Sequence, residues 1–231
     1  MEAFQSFFEL LAGTPAIIGL FLTALVIFLT SDWRLSLAAL LVQYLLVGLA
    51  LTRFIEPEVA VVKILAGVLV VPILYLGARH TNQVEELGDS DEGGLHFLGL
   101  TIGWDAGPLG LPLRILAVLL VFLTLVRLLG QFRLPMAPAG FSIEMAFIAI
   151  WMGSMGIIGL ILGGGPFRAA AAILTIMSGF DLVYATLEPS LAIVGFYSTL
   201  TLLTALAFSY LAAVQAVGIG DDKQDQVGRA P

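Results

Sequence analysis

The sequence contains no cysteine and carries little charge. Without cysteine, disulfide bonds, thiolate metal sites and cysteine-ligated iron–sulfur clusters are excluded. Charged residues make up 12% of the 231 residues, about half the share of a typical soluble domain. Apolar residues make up 59%, and mean hydropathy is +1.03. A soluble fold cannot cover so much apolar surface, so the composition predicts a protein embedded in a membrane.

Basic clusters are also missing, which argues against binding to nucleic acid. The net charge of −7 arises largely from two acidic segments, residues 85–92 and the last residues of the chain. Such segments are typical of solvated loops and tails. The first ten residues hold two glutamates and no lysine or arginine, so they lack the basic start of a cleavable signal peptide.

Long apolar runs recur along the chain. About 20 apolar residues are needed to cross the hydrocarbon core as a helix, with about 17 as a lower limit. We therefore predict an all-α polytopic bundle of about seven transmembrane helices, a single domain over residues 1–217 that includes an extramembrane loop at 78–111. Residues 218–231 are predicted to be a disordered polar tail. The predicted spans are Ala12–Thr30, Leu35–Leu51, Val59–Leu76, Leu113–Leu129, Met145–Leu162, Ala169–Leu187 and Leu191–Val217.

Short connections between most spans predict antiparallel neighbours. Pro15, Pro57 and Pro166 stand near predicted helix starts, and Asp32 is a predicted N-cap, as are Ser31 and Ser142. With seven spans, six of the nine lysine and arginine residues counted in loops fall on the side of the C-terminus. This excess predicts an N-terminus outside and a C-terminus inside a prokaryotic plasma membrane.

Asp181 is the most informative polar residue, because it lies inside the sixth predicted span. A carboxylate there costs about 2.5–3.5 kcal/mol on insertion scales and is a functional candidate by default. One interpretation is a proton-relay group. The other is a neutral acid hydrogen-bonded to a neighbouring helix, with Tyr184 one turn along.

Lys63 and Glu144 are two further proton-relay candidates. Lys63 lies one turn inside the third span, with Pro72 nine residues later, and it either pairs with a buried acid or extends its stem to the interface. Glu144 suits the N-terminus of the fifth span, where a carboxylate is stabilised by the helix dipole.

Three glycines in the fifth span, Gly153, Gly156 and Gly159, predict close helix packing rather than a ligand site. The two histidines, His80 and His96, fall in the long loop with Asp89 and Asp91. Their spacing fits no standard metal site, so we predict neither a metal nor a cofactor. No residues suited to catalysis are clustered, so the chain is not predicted to be an enzyme on its own.

The C-terminal third of the chain resembles part of a known protein family. The segment Arg168–Gly179, a basic residue followed by an apolar helix, precedes Leu182–Leu187, and Lys63 precedes Pro72 in the third span. This pattern is similar to the subunit K family of proton-pumping NADH–quinone oxidoreductases, and more similar to its seven-helix relative, component E of hydrogenase-4-type complexes. The acid that this family carries before Asn-Gly falls on Met177, and Asp181 lies one turn away.

The resemblance implies a subunit of the membrane arm, beside antiporter-like integral membrane subunits, with membrane lipid around it. It implies that the channel residues are degenerate or moved to Asp181. A small stand-alone transporter that uses Asp181 and Lys63 is the alternative.

Overall fold

The computed structural model describes residues 13–30, 32–52, 57–86, 95–97, 100–102, 110–131, 143–162, 165–187 and 190–227. Within them, seven helices and two three-residue strands are present. The predicted all-α fold is confirmed, and each predicted span coincides with one helix. The elements are α1 (Thr14–Leu29), α2 (Trp33–Leu51), α3 (Pro57–Glu86), β1 (Leu95–Phe97), β2 (Leu100–Ile102), α4 (Gly110–Gln131), α5 (Ile143–Leu162), α6 (Pro166–Leu187) and α7 (Leu191–Val227).

Five helices contain a stretch that is long and apolar enough to cross a membrane: α2, α3, α5, α6 and α7. The first helix is apolar but has 16 residues, fewer than the 19 predicted from Ala12 to Thr30. The fourth has 22 residues, and most of its described large apolar side chains are exposed. These properties support an integral membrane protein.

Local sequence explains several helix starts. Pro15 stands in the first turn of α1, where a missing N–H group leaves no bond unmade. The Asp32 carboxylate accepts a hydrogen bond from the Arg34 N–H at 2.9 Å, which caps α2 as predicted. Gly165 has φ +88° directly before Pro166, so a left-handed residue turns the chain into α6. Ser31 and Ser142, the other predicted caps, lie outside the described residues.

Two parts of the chain differ from the prediction. Residues 218–227 continue α7 as helix, where the sequence predicted a disordered tail. Extending an existing helix needs no new nucleation, so α7 can continue into this polar segment. Within the long loop, Leu95 and Ile102 are opposed in an antiparallel pair of short strands.

Neighbouring helices pack in an alternating up-and-down arrangement. The pairs α1–α2, α2–α3, α4–α5, α5–α6 and α6–α7 are in contact, and α3 packs extensively against α7. Among described residues, α3 and α4 form no substantial contact, consistent with the long connection between them. Consequently α2, α4 and α6 begin at one end of the bundle, which we name end B. The helices α3, α5 and α7 begin at the other end, end A.

The interior has two parts of different chemistry. An aromatic cluster on α1, α4 and α5 consists of Phe21, Phe122, Phe147 and Trp151, and the Phe21 and Trp151 ring centroids lie 4.4 Å apart. The second part lies among α2, α3, α6 and α7. Its apolar side chains surround buried polar ones.

Candidate functional site

A buried ion pair joins α3 to α6. The ammonium group of Lys63 contacts a carboxylate oxygen of Asp181, and their side chains are 1% and 7% exposed. Both sequence candidates are thus brought together by the fold, although 118 positions separate them. The alternative in which the Lys63 stem reaches the interface is not what the structure shows.

The depth of the pair follows from helix geometry. Lys63 lies six residues after the start of α3, and Asp181 lies six residues before the end of α6. At 1.5 Å per residue, both Cα atoms are about 9 Å from end A. Asp181 is about 7 Å from the middle of α6, so it lies well inside its helix and somewhat nearer to the middle than to end A.

Hydroxyl groups from two other helices complete a polar cluster of Tyr44, Lys63, Ser178, Asp181 and Thr201. The Lys63 ammonium donates to the Thr201 hydroxyl oxygen at 3.5 Å, and its nitrogen lies 5.7 Å from the centre of the Tyr44 ring. The Tyr44 hydroxyl lies near Ser178 and Thr201, and it is buried without a hydrogen-bond partner among the described residues. Four helices thus contribute to one group of polar atoms.

The hydroxyl protons of Ser178 and Thr201 are already used within their own helices. Ser178 donates to the Leu174 carbonyl and Thr201 to the Tyr197 carbonyl, both at 2.8 Å. Their oxygen atoms therefore present acceptor lone pairs to the other members of the cluster. This arrangement suits a site that holds a mobile proton or a cation.

Close helix approach positions the cluster. Gly67 is one turn after Lys63 on α3 and lies directly against Tyr44, so that a Cβ atom at Gly67 would be 2.6 Å from Cγ of the tyrosine. Gly179 is equally confined on α6, where a Cβ atom would be 2.7 Å from the Ala149 carbonyl oxygen. The absence of a side chain at these positions lets α3 reach α2, and α6 reach α5.

A small cavity lies beside the ion pair. It has a volume of about 10 Å³, close to the room that one water molecule needs. Its lining includes Lys63, Asp181, Tyr184 and Tyr197. The rings of Tyr184 and Tyr197, both half-buried, pack against each other with centroids 5.6 Å apart. Tyr184, suggested as a partner of Asp181, therefore lines the same cavity, while the direct partner is Lys63.

The remaining sequence candidates lie elsewhere. Glu144 is exposed at the second position of α5, and no contact joins it to the polar cluster within the described chain. Gly156 lies against α6, where a Cβ atom would be 2.6 Å from the Ala172 carbonyl oxygen, and Gly159 is also close to Ala172. A Cβ atom at Gly153 would meet nothing within 4 Å.

The predicted loop residues are only partly described. His80 lies in α3 and His96 in β1, whereas Asp89 and Asp91 lie outside the described residues. Over the ranges that the structure covers, no three potential metal ligands come together.

Sequence reasoning missed Tyr44, Ser178 and Thr201 as members of the site. Each is a polar residue inside an apolar helix, and that was the available signal. The signal is weak because a serine or threonine in a membrane helix commonly bonds to its own backbone.

Comparisons of the chain with protein-family models, curated proteins and solved structures give no match.

Proposed function

We propose that this chain is an integral membrane component of a proton-translocating system and that the Lys63–Asp181 pair is its proton-transfer element. The observation that carries the proposal is the pairing of two ionisable side chains inside a four-helix contact, beside a cavity that can hold water. Burying two charges is costly, and replacement by apolar residues is often neutral or stabilising. A pair of this kind is therefore better explained by function than by stability.

The chemistry is a reversible proton exchange. One N–H bond of the Lys63 ammonium breaks, and an O–H bond forms on the Asp181 carboxylate, which leaves a neutral amine and a neutral acid. Water in the adjacent cavity can then supply a proton to the amine or accept one from the acid. Thr201 accepts a hydrogen bond from the ammonium and holds it near the carboxylate during this exchange.

Buried polar groups on two of the helices that form the cluster, α2 and α7, support a hydrated interior. Gln43 precedes Tyr44 on α2 and is fully buried, and its amide nitrogen and oxygen have no hydrogen-bond partner within the described chain. Ser198, one turn before Thr201 on α7, is likewise buried without a partner for its hydroxyl among those residues. Such groups are usually satisfied by ordered water.

The resemblance of the C-terminal third to the subunit K family and component E supports a subunit role beside antiporter-like integral membrane subunits. In that role the chain has no catalytic activity of its own. A tagged pull-down from native membranes in mild detergent tests it, with the co-purifying chains identified by mass spectrometry. Recovery with antiporter-like subunits would support the role. Recovery of a folded, monodisperse chain alone would overturn it.

A stand-alone transporter is the second candidate. One observation favours it: Lys63 and Asp181 are buried within this chain, at 1% and 7% exposure, so no second subunit is needed to shield the pair from solvent. In this case the purified chain alone should carry protons.

Proton flux into proteoliposomes tests the role of the pair under either assignment. The complex, or the chain if it purifies alone, is reconstituted with a pH-sensitive dye inside and driven by a potassium diffusion potential. We expect Asp181→Asn to reduce flux at least tenfold. Glu144→Gln, a matched control that neutralises an exposed carboxylate, should leave flux unchanged. Unchanged flux in Asp181→Asn would show that the pair is structural.

The excess of lysine and arginine in the loops on the side of the C-terminus indicates the orientation of the chain in the membrane. We propose that end B, where α7 ends, faces the cytoplasm of a prokaryotic cell. Arg34 and Arg79 are exposed near that end. Because the chain has no native cysteine, Arg79→Cys provides a single labelling site. A membrane-impermeant thiol reagent should label it only after the cells are opened, and labelling in intact cells would reverse the orientation.

A further inference from the structure

A second cavity lies at end B, the end of the bundle opposite to the ion pair. This end-B cavity has a volume of about 30 Å³, which is room for about two water molecules. Its lining includes Ser36 from the first turn of α2 and Thr175 from the middle of α6. Because Thr175 lies nine residues after the start of α6, the lining extends to a depth of about 14 Å from end B.

Polar side chains on α6 continue from this cavity to the polar cluster. Thr175, Ser178 and Asp181 follow one another at intervals of three residues, so they are neighbours on the helix surface, and all three are buried. The rise from Thr175 to Asp181 is about 9 Å, and Ser178 divides it into two steps of about 4.5 Å. A water molecule that bridges two oxygen atoms spans up to about 5.5 Å. One water per step is therefore enough to link the end-B cavity to the ion pair.

The two hydroxyl groups of this series offer hydrogen-bond acceptors to water. Thr175 donates its own proton to the Ala171 carbonyl, and Ser178 donates to the Leu174 carbonyl, both at 2.8 Å. A hydroxyl oxygen whose proton is already used keeps lone pairs for a hydrogen bond from water. A water held by these oxygens still needs a donor from another helix.

Gln43 on α2 is suited to supply that donor. It is fully buried, and neither its amide nitrogen nor its amide oxygen has a hydrogen-bond partner within the described chain. It lies two turns deeper than Ser36 on the same face of α2, and Ser36 lines the end-B cavity. Its depth of about 15 Å from end B matches that of Thr175, on a helix that contacts α6. An unsatisfied amide in this position indicates a water site.

The Tyr44 hydroxyl extends the unsatisfied groups towards the ion pair. It lies near Ser178 and Thr201, and it is buried without a hydrogen-bond partner among the described residues. A phenol both donates and accepts, so it can bind a water between Ser178 and the pair. The indole N–H of Trp151 is also buried without a described partner, but it lies among the aromatic rings and outside the described linings of both cavities.

We propose that a chain of water molecules past Thr175, Gln43 and Ser178 carries protons between end B and the Lys63–Asp181 pair, with Gln43 as a positioning residue. This inference rests on the proton transfer proposed for the pair. Each water in the chain gains one O–H bond and loses another, and the Lys63 amine or the Asp181 carboxylate takes the last proton. The Gln43 amide does not titrate. It donates to one water and accepts from the next, which aligns the chain.

Proton flux into proteoliposomes tests the role of Gln43 on the protein or complex that carries the flux. We expect Gln43→Leu to reduce flux by roughly fivefold or more, because the group that positions the water is lost. Its stability should equal or exceed that of the wild type, since an unpartnered amide is replaced by an apolar group. Gln43→Asn keeps an amide and should retain most of the flux. Trp151→Phe removes a buried N–H group outside the path and should leave flux unchanged.

Water access is measured without any proton flux. Because the chain has no native cysteine, Ser178→Cys places a single thiol in the path. Leu174→Cys is a matched control one turn away on α6, equally buried but in the apolar part of the core. Silver ions, which bind thiolates and are small enough to follow water, are added to the protein in nanodiscs, and the remaining free thiol is determined by mass spectrometry. We expect Ser178→Cys to react much faster than Leu174→Cys, and Gln43→Leu to slow the reaction at Ser178→Cys.

The two assays separate this path from the proposed proton transfer. Equal reaction of Ser178→Cys and Leu174→Cys, or wild-type flux in Gln43→Leu, would overturn the path and leave the proton transfer by the pair in place. A fast reaction at Ser178→Cys that Gln43→Leu does not slow would place the water access at end A and overturn the path as well. Silver access in a wild-type protein that carries no protons would overturn the proposed function, and with it the use of this water for protons.

Discussion

The polar cluster and the aromatic cluster occupy the same bundle and follow different physical rules. Around Trp151, which is fully buried, the rings of Phe21 and Phe147 stack and the ring of Phe122 meets the indole edge-on at 6.2 Å. These ring contacts gain dispersion energy and involve no charged group, although the buried indole N–H of Trp151 has no hydrogen-bond partner among the described residues. Around Lys63 and Asp181, every favourable contact must first offset the cost of removing charge from water.

This difference separates the parts of the molecule that stabilise it from the part suited to a reaction. When a substitution removes atoms from the aromatic cluster, we expect the free energy of unfolding to fall in proportion to the number of atoms removed. The polar cluster depends on both partners being present, because one charge alone is far more costly than the pair. Substitutions in the two clusters should consequently show different patterns of stability and flux.

The largest expected effect is the removal of one charge from the polar cluster. Lys63→Met leaves the Asp181 carboxylate without its cation, and we expect a loss of about 3–5 kcal/mol in the free energy of unfolding. The double variant Lys63→Met with Asp181→Leu should recover most of that loss, because the pair is replaced by apolar side chains. Unfolding in mixed micelles at increasing denaturing detergent measures both.

The single and double variants should affect proton flux and stability differently. The double variant is expected to be stable and inactive in the proteoliposome assay. Recovery of flux together with stability would contradict the proposed proton transfer. A loss below about 1 kcal/mol for Lys63→Met would mean that the pair is well hydrated or weakly coupled.

The next effect is the removal of a ring from the aromatic cluster. Trp151→Ala should cost about 3–4 kcal/mol, since truncation of a fully buried indole leaves a cavity among its neighbours. Flux per folded protein should stay near that of the wild type, because no described contact joins this side chain to Lys63 or Asp181. The same micelle unfolding and proteoliposome assays test both statements. A selective loss of flux would break the division between the clusters.

Helix packing between α5 and α6 gives a smaller effect with a matched control. Gly156→Ala places a methyl group 2.6 Å from the Ala172 carbonyl oxygen, and we expect a cost of about 1–3 kcal/mol. Gly153→Ala on the same helix meets nothing within 4 Å and should be neutral or stabilising by about 0.5–1 kcal/mol. Equal costs at both positions in an unfolding titration would contradict this packing.

The smallest expected effect comes from removing the hydrogen bond that the Lys63 ammonium donates to the Thr201 hydroxyl. Thr201→Val removes the acceptor for Lys63 at nearly constant volume, with an expected cost of about 0.5–1.5 kcal/mol and a fewfold loss of flux. Thr199→Val is the control, because Thr199 is exposed on α7 and its hydroxyl donates only to the Gly195 carbonyl. Flux in the two valine variants should differ. If it does not, Thr201 has no part in positioning the ammonium.

The helices could be predicted from the sequence, whereas the contacts within the site could not, and the reason is physical. Continuous apolar runs are a local property, so the seven helices could be located from the sequence, with α6 and α7 ending or beginning at the predicted residues Leu187 and Leu191. The polar character of Asp181 and Lys63 was equally visible. Their contact was not, because it requires α3 and α6 to be placed beside each other through contacts with α2 and α7.

The end-B cavity of about 30 Å³, lined in part by Arg114 and Arg168, shows the same division. Arg114 and Arg168 could be assigned to one end of the bundle from the alternation of spans alone. Their position in the lining of one cavity depends on where α4 packs against α1 and α5, and on the glycines Gly156 and Gly159 that line the same space. Neither the packing of α4 nor the position of these glycines in the cavity lining can be deduced from a short segment of the sequence.

The sequence by itself therefore determined the membrane environment, the positions of the helices in the described ranges and the identity of the costly residues, because each depends on local composition and on the thickness of a bilayer. The tertiary structure alone decided which of those residues meet. Lys63 contacts Asp181 and Thr201, whereas Glu144 stays exposed at a helix end. The reason is that side-chain neighbours in a bundle are set by helix rotation and crossing, and these are settled by packing over the whole length of several helices.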